Sequence, residues 1–220
     1  MKTFVINRRQ DVERRMAISS QLEASGISYE MVEAVDGRSL SREAKAQLAD
    51  FAKMRRVLRV LSDGEIGCAA THLIVYRRML DEKLDVACVL EDDAKILCGG
   101  DLSWMSVRWA DDEPHVRLLT DRRHGMVWTV GYLINRAAAK VMLRYNTPIW
   151  RVADCWESLV RRGRLVLDWC ERTIVEPDGA LGSVITPGGV PPHRQRLPRD
   201  FVHLLVRTCW RMAYGIGFKV

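Results

Sequence analysis

A chain of 220 residues has the length of one domain with a short appendage, and its 48% apolar and 28% charged residues exclude a largely disordered or collagen-like protein. The net charge is +6, but six basic residues and one acidic residue at positions 190–220 account for five of these charges. The nearly neutral remainder argues against a nucleic-acid-binding body. No uninterrupted apolar stretch reaches the roughly 20 residues of a membrane-spanning helix, and the amino terminus becomes charged too soon for a signal peptide.

The first third of the chain predicts a strand, a helix and a second strand. Residues 3–7 form a short β-like run, and Asp11 precedes an apolar stripe with helical spacing that ends at Gly26. Residues 29–35 predict the second strand, which ends in the turn pair Asp36-Gly37. Ser41 then caps a predicted basic helix that extends to about residue 61.

A capping box and a fully apolar strand mark the next unit. Ser62 and Glu65 have the capping-box spacing and predict a helix that extends to about residue 82. Residues 86–90 are apolar at every position, which is typical of a central parallel strand covered on both faces. This strand ends abruptly in three carboxylates, Glu91, Asp92 and Asp93.

The later part of the chain continues the alternation of strands and helices. We predict a strand at 127–134, a helix capped by Asn135 that extends to about residue 145, a helix at 153–162, and short strands at 165–169 and 173–176. The pattern indicates an α/β domain over residues 1–186, with a mostly parallel central sheet flanked by helices.

The composition changes beyond this domain. Five of the seven prolines lie between Pro177 and Pro198, which predicts an extended connector at 187–199. Residues 200–220 have the spacing of a basic amphipathic helix. Such a helix binds an anionic membrane surface or packs on the domain, and the sequence leaves both alternatives open. The six cysteines are scattered without a C-x-x-C pair, which predicts buried or free thiols in a reducing cytosol and argues against a zinc site.

The acidic triplet is the strongest candidate for chemistry. Carboxylates at the carboxyl end of a buried strand lie at the edge where α/β sheets bind ligands. Three adjacent negative charges repel one another unless a cation neutralises them, and carboxylate oxygens favour Mg²⁺ or Mn²⁺. The sequence therefore predicts a metal–diphosphate site, with a solvated turn as the structural alternative.

The sequence resembles glycosyltransferase family 25, whose members include bacterial lipooligosaccharide galactosyltransferases and collagen galactosyltransferases. The matching blocks occur in the expected order over residues 3–185, although the stretch 114–127 looks shorter than in the family. The blocks are Ile6-Asn7, Asp11-Val12-Glu13-Arg14-Arg15, Ala34-Val35-Asp36-Gly37, Gly64-Glu65-Ile66-Gly67-Cys68 with Thr71-His72, Val89-Leu90-Glu91-Asp92-Asp93, Thr129-Val130-Gly131-Tyr132-Leu133-Ile134 with Ala138 and Ala139, and Pro148 with Asp154.

This resemblance implies a GT-A fold, a UDP-sugar donor (usually UDP-galactose), Mn²⁺ or Mg²⁺ as the cofactor, and transfer with inversion. It implies that Asp93 is the main metal ligand and that Glu91 faces the ribose or the metal's water shell, with Asp92 in the same donor-binding motif. The implied partner is a lipid-linked oligosaccharide acceptor. We accordingly expect a cytoplasmic enzyme peripheral to the inner face of the bacterial inner membrane, held there by residues 196–220.

Inverting transfer also needs a base for the acceptor hydroxyl. We expect this base to be Asp154, which follows a proline-containing loop and precedes a predicted helix, with Glu157 as the second choice. The structural alternative is that Asp154 only caps that helix.

Four further residues are candidates for donor binding. Arg14 could bind phosphate through two donors or lie on a solvated helix face, and Asn7 could bind uracil or ribose or act as a turn residue. His72 is either a ligand-binding or an interior residue, and Asp36 lies in a turn whose family counterpart is near the donor.

Two other functions remain possible from the sequence. An acid-tipped strand also suits a metal-dependent nucleotidyltransferase or phosphohydrolase. The shortened stretch 114–127 is also compatible with a catalytically degenerate protein that binds sugar nucleotides.

Overall fold

A computed structural model describes residues 1–97, 99, 101–107, 109, 113–122, 129–180 and 185 of the chain. The predicted connector at 187–199 and the predicted amphipathic helix at 200–220 lie outside the described residues. No helix in the described part combines the length and apolar character needed to cross a bilayer. The elements are β1 (Lys2–Asn7), α1 (Val12–Ala24), β2 (Glu30–Glu33), α2 (Arg42–Leu48), α3 (Phe51–Arg56), α4 (Asp63–Asp81), β3 (Val86–Glu91), β4 (Ala94–Ile96), β5 (His115–Asp121), β6 (Gly131–Asn135), α5 (Arg136–Tyr145), α6 (Glu157–Val160), β7 (Val166–Cys170) and β8 (Val175–Pro177).

The central sheet is mostly parallel, as predicted. Within the described residues it has six strands in the order β2-β1-β3-β6-β5-β7. β1 is parallel to both of its neighbours, and β5 is parallel to β7, whereas β6 is antiparallel to β3 and β5. β4 and β8 form a separate antiparallel pair.

β3 is covered on both faces, which confirms the interpretation of its apolar sequence. Ala87 and Val89 belong to the core on the side of α4 and α5, and Cys88 and Leu90 belong to the core on the side of α1. All four side chains are fully buried. Their alternation fixes the register of β3 and therefore the position of the carboxylates that follow it.

The predicted caps of α4 and α5 are both present. The Ser62 hydroxyl accepts a hydrogen bond from the backbone N–H of Glu65, while the Glu65 carboxylate accepts one from the backbone N–H of Ser62. The Asn135 side chain accepts a hydrogen bond from the backbone N–H of Ala138 at the start of α5. These bonds satisfy amide groups that the first turn of a helix leaves without partners.

The single helix predicted for residues 41–61 is wrong, because the segment forms two short helices, α2 and α3. Between them Ala49 makes a parallel bridge with Ile149, and the backbone N–H of Asp50 donates to the carbonyl of Ile149 at 2.8 Å. The Asp50 carboxylate then caps α3 by accepting from the backbone N–H of Lys53. A tertiary contact therefore replaces the helical hydrogen bonds at this point.

Other predictions in the later part need correction. Of the strand expected at 127–134, residues 127 and 128 lie outside the described residues, and the described part forms β6 at Gly131–Asn135. The helix expected at 153–162 is limited to Glu157–Val160 and is preceded by turns that bury Trp156. The strand expected at 173–176 pairs with β4 instead of joining the central sheet. β5, which was not predicted, lies between β6 and β7.

Candidate active site

A cleft lies at the carboxyl ends of β1 and β3. These strands are parallel neighbours, while the chain leaves β1 to form β2 on its other side. Such a switch in strand order opens a crevice where α/β sheets bind ligands. The wall of the cleft includes residues from four segments: Asn7, Arg8, Asp11 and Arg14; Asp36, Gly37 and Arg38; Cys68 and Thr71; and Glu91, Asp92 and Asp93.

Asp92 is held by two side chains from the first part of the chain. Its Oδ2 accepts a hydrogen bond from Asn7 Nδ2 at 2.8 Å, and its Oδ1 accepts one from Arg14 Nη1 at 2.7 Å. Arg14 is 8% exposed, so the alternative of a solvated helix face is wrong. Burial raises the pKa of Asp92, although the contacts with Asn7 and Arg14 oppose this effect. Asp92 therefore joins β1, α1 and the end of β3.

Asp93 differs from Asp92 in that one of its buried oxygens lacks a partner. Among the described residues, no group forms a hydrogen bond with Asp93 Oδ1, and Arg14 Nη1 lies 3.7 Å from Oδ2. Burial and the negative charge of Glu91 raise the pKa of Asp93 to about 6. A buried carboxylate oxygen without a partner, next to a second carboxylate, fits the needs of a hard divalent cation.

Glu91 is fixed from behind by a chain of buried polar groups. His72 Nε2 lies 3.2 Å from Glu91 Oε1, and His72 Nδ1 lies 2.7 Å from the Tyr132 hydroxyl. That hydroxyl lies 2.8 Å from the hydroxyl of Tyr76. Burial raises the pKa of Glu91, but the hydrogen bond and charge of His72 outweigh this effect and the net pKa is lowered. Glu91 is therefore held as a carboxylate.

The turn after β2 is pressed directly onto the first turns of α4. A Cβ atom on Gly67 would lie 2.3 Å from the carbonyl oxygen of Val35, and one on Gly37 would lie 1.8 Å from the carbonyl oxygen of Asp63. The Thr71 hydroxyl donates to the carbonyl of Gly67 and accepts from the backbone N–H of Val35. These distances explain why residues 37 and 67 are glycines: a Cβ atom at either position would overlap with the backbone of the facing segment. The packing places Asp36 in the wall of the cleft.

Asp154 lies in a turn before α6 and does not cap it. The cap position is Trp156, which makes no side-chain capping bond, so the capping alternative is wrong. Burial and the charge of Glu91 raise the pKa of Asp154 to about 6. Glu157 begins α6. Among the described residues, neither Asp154 nor Glu157 is part of the cleft wall.

Six of the residues predicted to bind donor or metal meet in this cleft: Asn7, Arg14, Asp36, Glu91, Asp92 and Asp93. His72 lies behind Glu91 and is 1% exposed, so the structure makes it an interior residue that contacts a cleft residue. The sequence interpretation gave no binding role to Cys68, which lies in the cleft wall, or to Tyr132, which contacts His72. The four-residue spacing of Cys68 and His72 on one helix face was the available signal for Cys68.

The fold and the cleft define an α/β protein with a buried carboxylate cluster at the switch point of its sheet. Residues 1–98 match the sequence profile of glycosyltransferase family 25 (LPS biosynthesis protein). The resemblance inferred from the sequence motifs is thereby confirmed, and the matched residues include every predicted donor-binding and metal-binding residue.

Three known proteins illustrate the similarity. Human procollagen galactosyltransferase 2 is 27% identical over 171 residues, which cover 65% of this chain and 27% of that protein. A rat protein named probable inactive glycosyltransferase 25 family member 3 is 24% identical over 184 residues, covering 72% of this chain and 32% of that protein. The chain thus spans about a quarter to a third of these relatives. The crystal structure of a glycosyltransferase involved in the glycosylation of the major capsid of PBCV-1 gives a TM-score of 0.39 at 11% identity, covering 76% of this chain and 80% of that one.

Proposed function

We propose that this protein is a glycosyltransferase of the GT-A type that transfers a hexose, most simply galactose, from a UDP-sugar to a glycan with inversion. The observation that carries this proposal is the buried oxygen of Asp93, which lacks a partner among the described residues and lies in the switch-point cleft beside Glu91. The family match over residues 1–98 and the relatives named as galactosyltransferases support it.

The cluster fits Mn²⁺ or Mg²⁺, with Asp93 as the main ligand and Glu91 as a second ligand, directly or through water. When bound, such an ion draws negative charge from the departing diphosphate. Asp92 is committed to Asn7 and Arg14, so its part is to hold the backbone that presents Asp93. Arg38 also lies in the cleft wall and is proposed to contact the phosphates, while Arg8 lies there in an ion pair with Asp11.

The acceptor hydroxyl must lose a proton as it attacks the sugar. Asp154 suits this task because its pKa of about 6 leaves it ionised at neutral pH yet more basic than an exposed aspartate. The charge of Glu91 acts on Asp154 as it does on Asp93. The proposed base and the proposed metal ligand therefore share one electrostatic environment. Glu157 remains the second choice.

We further propose a lipid-linked oligosaccharide, such as a growing lipooligosaccharide, as the acceptor, and a location on the inner face of the bacterial inner membrane. The support is the basic composition of residues 196–220 together with the family description. Deletion of residues 196–220 should abolish sedimentation with anionic liposomes. If the shortened protein still sediments with them, another region makes the contact.

A second candidate is a sugar-nucleotide-binding protein without catalytic activity. It is favoured by the similarity to a relative named as probably inactive, which extends over 72% of this chain. Such a protein would bind UDP in the presence of Mn²⁺ and release none from any UDP-sugar.

The proposed activity is tested by incubating the protein with a panel of UDP-sugars, Mn²⁺ and glycan acceptors while measuring UDP release. We expect release of UDP that depends on Mn²⁺ and is lost in Asp93→Ala, with Asp81→Ala as a matched control at an exposed helix end. Undiminished turnover in Asp93→Ala would remove the assigned site. Release of pyrophosphate or inorganic phosphate in place of UDP would indicate a nucleotidyltransferase or phosphohydrolase.

A further inference from the structure

Three side chains of different chemistry meet beside the acidic cleft. Cys68 and His72 lie one turn apart on α4, and Glu91 ends β3. Cys68 Sγ lies 3.9 Å from Glu91 Oε1, His72 Nε2 lies 3.2 Å from the same oxygen, and all three potential ligand atoms lie within 4.8 Å of one another. A thiol, an imidazole and a carboxylate are the three ligand types that zinc uses in proteins.

Two of the three distances between the potential ligand atoms approach those of a tetrahedral zinc site, and the third, between Cys68 Sγ and His72 Nε2, does not exceed 4.8 Å. Zinc binds sulfur at about 2.3 Å and nitrogen or oxygen at about 2.0–2.2 Å, so neighbouring ligand atoms in a tetrahedron lie about 3.3–3.6 Å apart. The separations of Glu91 Oε1 from the other two atoms differ from these values by only a few tenths of an ångström. Three protein ligands would leave the fourth position open toward the cleft, whose wall includes Cys68 and Glu91.

The imidazole is already oriented for such a role. Its Nδ1 is held by the Tyr132 hydroxyl, which is held in turn by Tyr76, and all three side chains are buried. This leaves Nε2 directed at the carboxylate. Histidine ligands of metals are commonly fixed through the second ring nitrogen in this way, which sets the ring plane and the tautomer.

The surroundings of the cluster favour a cation. Four carboxylates act electrostatically on the Cys68 thiol: Glu91, Asp154, Asp93 and Glu65. Of these, Glu65 is compensated by an ion pair with Arg59 at 2.5 Å. Glu91, Asp93 and Asp154 remain near the thiol, and negative charges in such a position favour the binding of a divalent ion.

We propose that Cys68, His72 and Glu91 form a binding site for a thiophilic divalent cation, with Zn²⁺ as the physiological candidate. This site differs from the Mn²⁺ or Mg²⁺ site proposed at Asp93, because it includes a thiol, a soft ligand that Mn²⁺ and Mg²⁺ disfavour. The two sites share Glu91, so Zn²⁺ bound here withdraws Glu91 from the donor site and inhibits transfer. The binding of zinc stands independently of the proposed function, and only the inhibition rests on it.

The test uses the full chain, metal-free and kept reduced, with Co²⁺ as a spectroscopic substitute for Zn²⁺. We expect one equivalent of Co²⁺ to give intense visible bands of a tetrahedral site and a sulfur-to-cobalt band in the near ultraviolet, both removed by Zn²⁺. Cys68→Ser should lose the sulfur band and bind Zn²⁺ at least about 10-fold more weakly. Cys170→Ser, a partly buried cysteine outside the cluster, should behave as wild type. A weak six-coordinate spectrum, or an unchanged spectrum in Cys68→Ser, would overturn the proposal.

Two further measurements keep the test independent of how one variant folds. In the wild-type protein, Zn²⁺ should protect Cys68 from alkylation, as read by mass spectrometry of the peptide, and absence of protection contradicts the site. Asp93→Asn should lose Mn²⁺ binding, measured by electron paramagnetic resonance, while it keeps the cobalt spectrum. If Asp93→Asn loses the binding of both Mn²⁺ and Co²⁺, the two metals bind at one common site and the proposal of a separate site is wrong. Failure of Mn²⁺ to bind wild type, with the cobalt spectrum intact, would count against the proposed function alone.

Discussion

Residues 1–97 and residues 113–180 contribute to the candidate site in different ways. Apart from Ile185, every described residue in the cleft wall comes from the first region. Glu91, Asp92 and Asp93 lie at or directly after the end of β3, and Arg14 lies in the first turn of α1. The second region supplies β5 to β8 and the proposed base Asp154. The residues proposed to bind the donor thus lie in local motifs of the first region. The second region completes the sheet and contributes Asp154, whose pKa is affected by the charge of Glu91.

The largest expected effect is the loss of activity in Asp93→Asn, which tests whether the first region holds the metal. Removal of the main metal ligand should lower metal-dependent UDP release by about 1,000-fold, because the charge on the leaving diphosphate is no longer offset. The measurement is initial rate against Mn²⁺ concentration. A variant whose rate is restored to wild type by no more than a small excess of Mn²⁺ would show that Asp93 is not the main ligand.

A different result is expected for the neighbouring Asp92→Asn, which sharpens the contrast within the first region. This change leaves the buried Arg14 without its nearest countercharge, and breaking a buried pair from one side costs about 3–5 kcal/mol. Urea unfolding monitored by tryptophan fluorescence should show this loss of unfolding free energy. Asp93→Asn, as the matched variant one residue away, should unfold at a urea concentration close to that of the wild type or higher.

The role of the second region is tested by Asp154→Asn. If Asp154 is the base, kcat should fall by about 100-fold or more while the donor KM changes little. The wild-type rate should decrease as the pH falls through about 6, where Asp154 takes up a proton. Glu157→Gln is the control. A loss of activity in Glu157→Gln that exceeds the loss in Asp154→Asn would transfer the role to Glu157.

The last expected effect is a gain in stability instead of a loss, and it concerns the free energy of unfolding of Asp154→Asn. The folded-state pKa of Asp154 is about 6, above its ordinary value of 3.8, so the folded state binds the extra proton between these values. Wild-type stability contributed by this group is therefore complete below pH 3.8 and lost as the pH rises through 6. At pH 7.5 the asparagine variant should be more stable by up to about 3 kcal/mol, and the difference should disappear near pH 4. Equal stability of the two proteins at pH 7.5 would contradict the unfavourable environment assigned to this carboxylate.

The parts of the fold that the sequence predicted well depend on local signals. β3 was recognisable because all of its residues are apolar, and α4 because Ser62 and Glu65 form a capping box. The break at Ala49 could not be predicted, since its partner Ile149 is distant in sequence. β5 was not predicted. Val116 and Leu118 alternate with half-buried residues, but the buried Leu119 interrupts this period-two pattern.

The candidate site shows the same limit. The acidic triplet and its place at the edge of the sheet followed from strand polarity alone. The different surroundings of Asp92 and Asp93 could not be predicted from the sequence. They depend on Asn7 and Arg14, which contact Asp92 across more than 75 residues of sequence. The support of Glu91 by His72 and Tyr132 is equally non-local.

The central claim is that Asp93 and Glu91 bind a divalent cation and, through it, the diphosphate of a nucleotide. Isothermal titration of UDP into the protein, with Mn²⁺ and then with a chelator, tests this claim most directly. We predict saturable binding of UDP with Mn²⁺, and a loss of at least about 10-fold in affinity both with the chelator and in Asp93→Asn. Binding of UDP that is equally tight with and without Mn²⁺, or unchanged in Asp93→Asn, would contradict the claim.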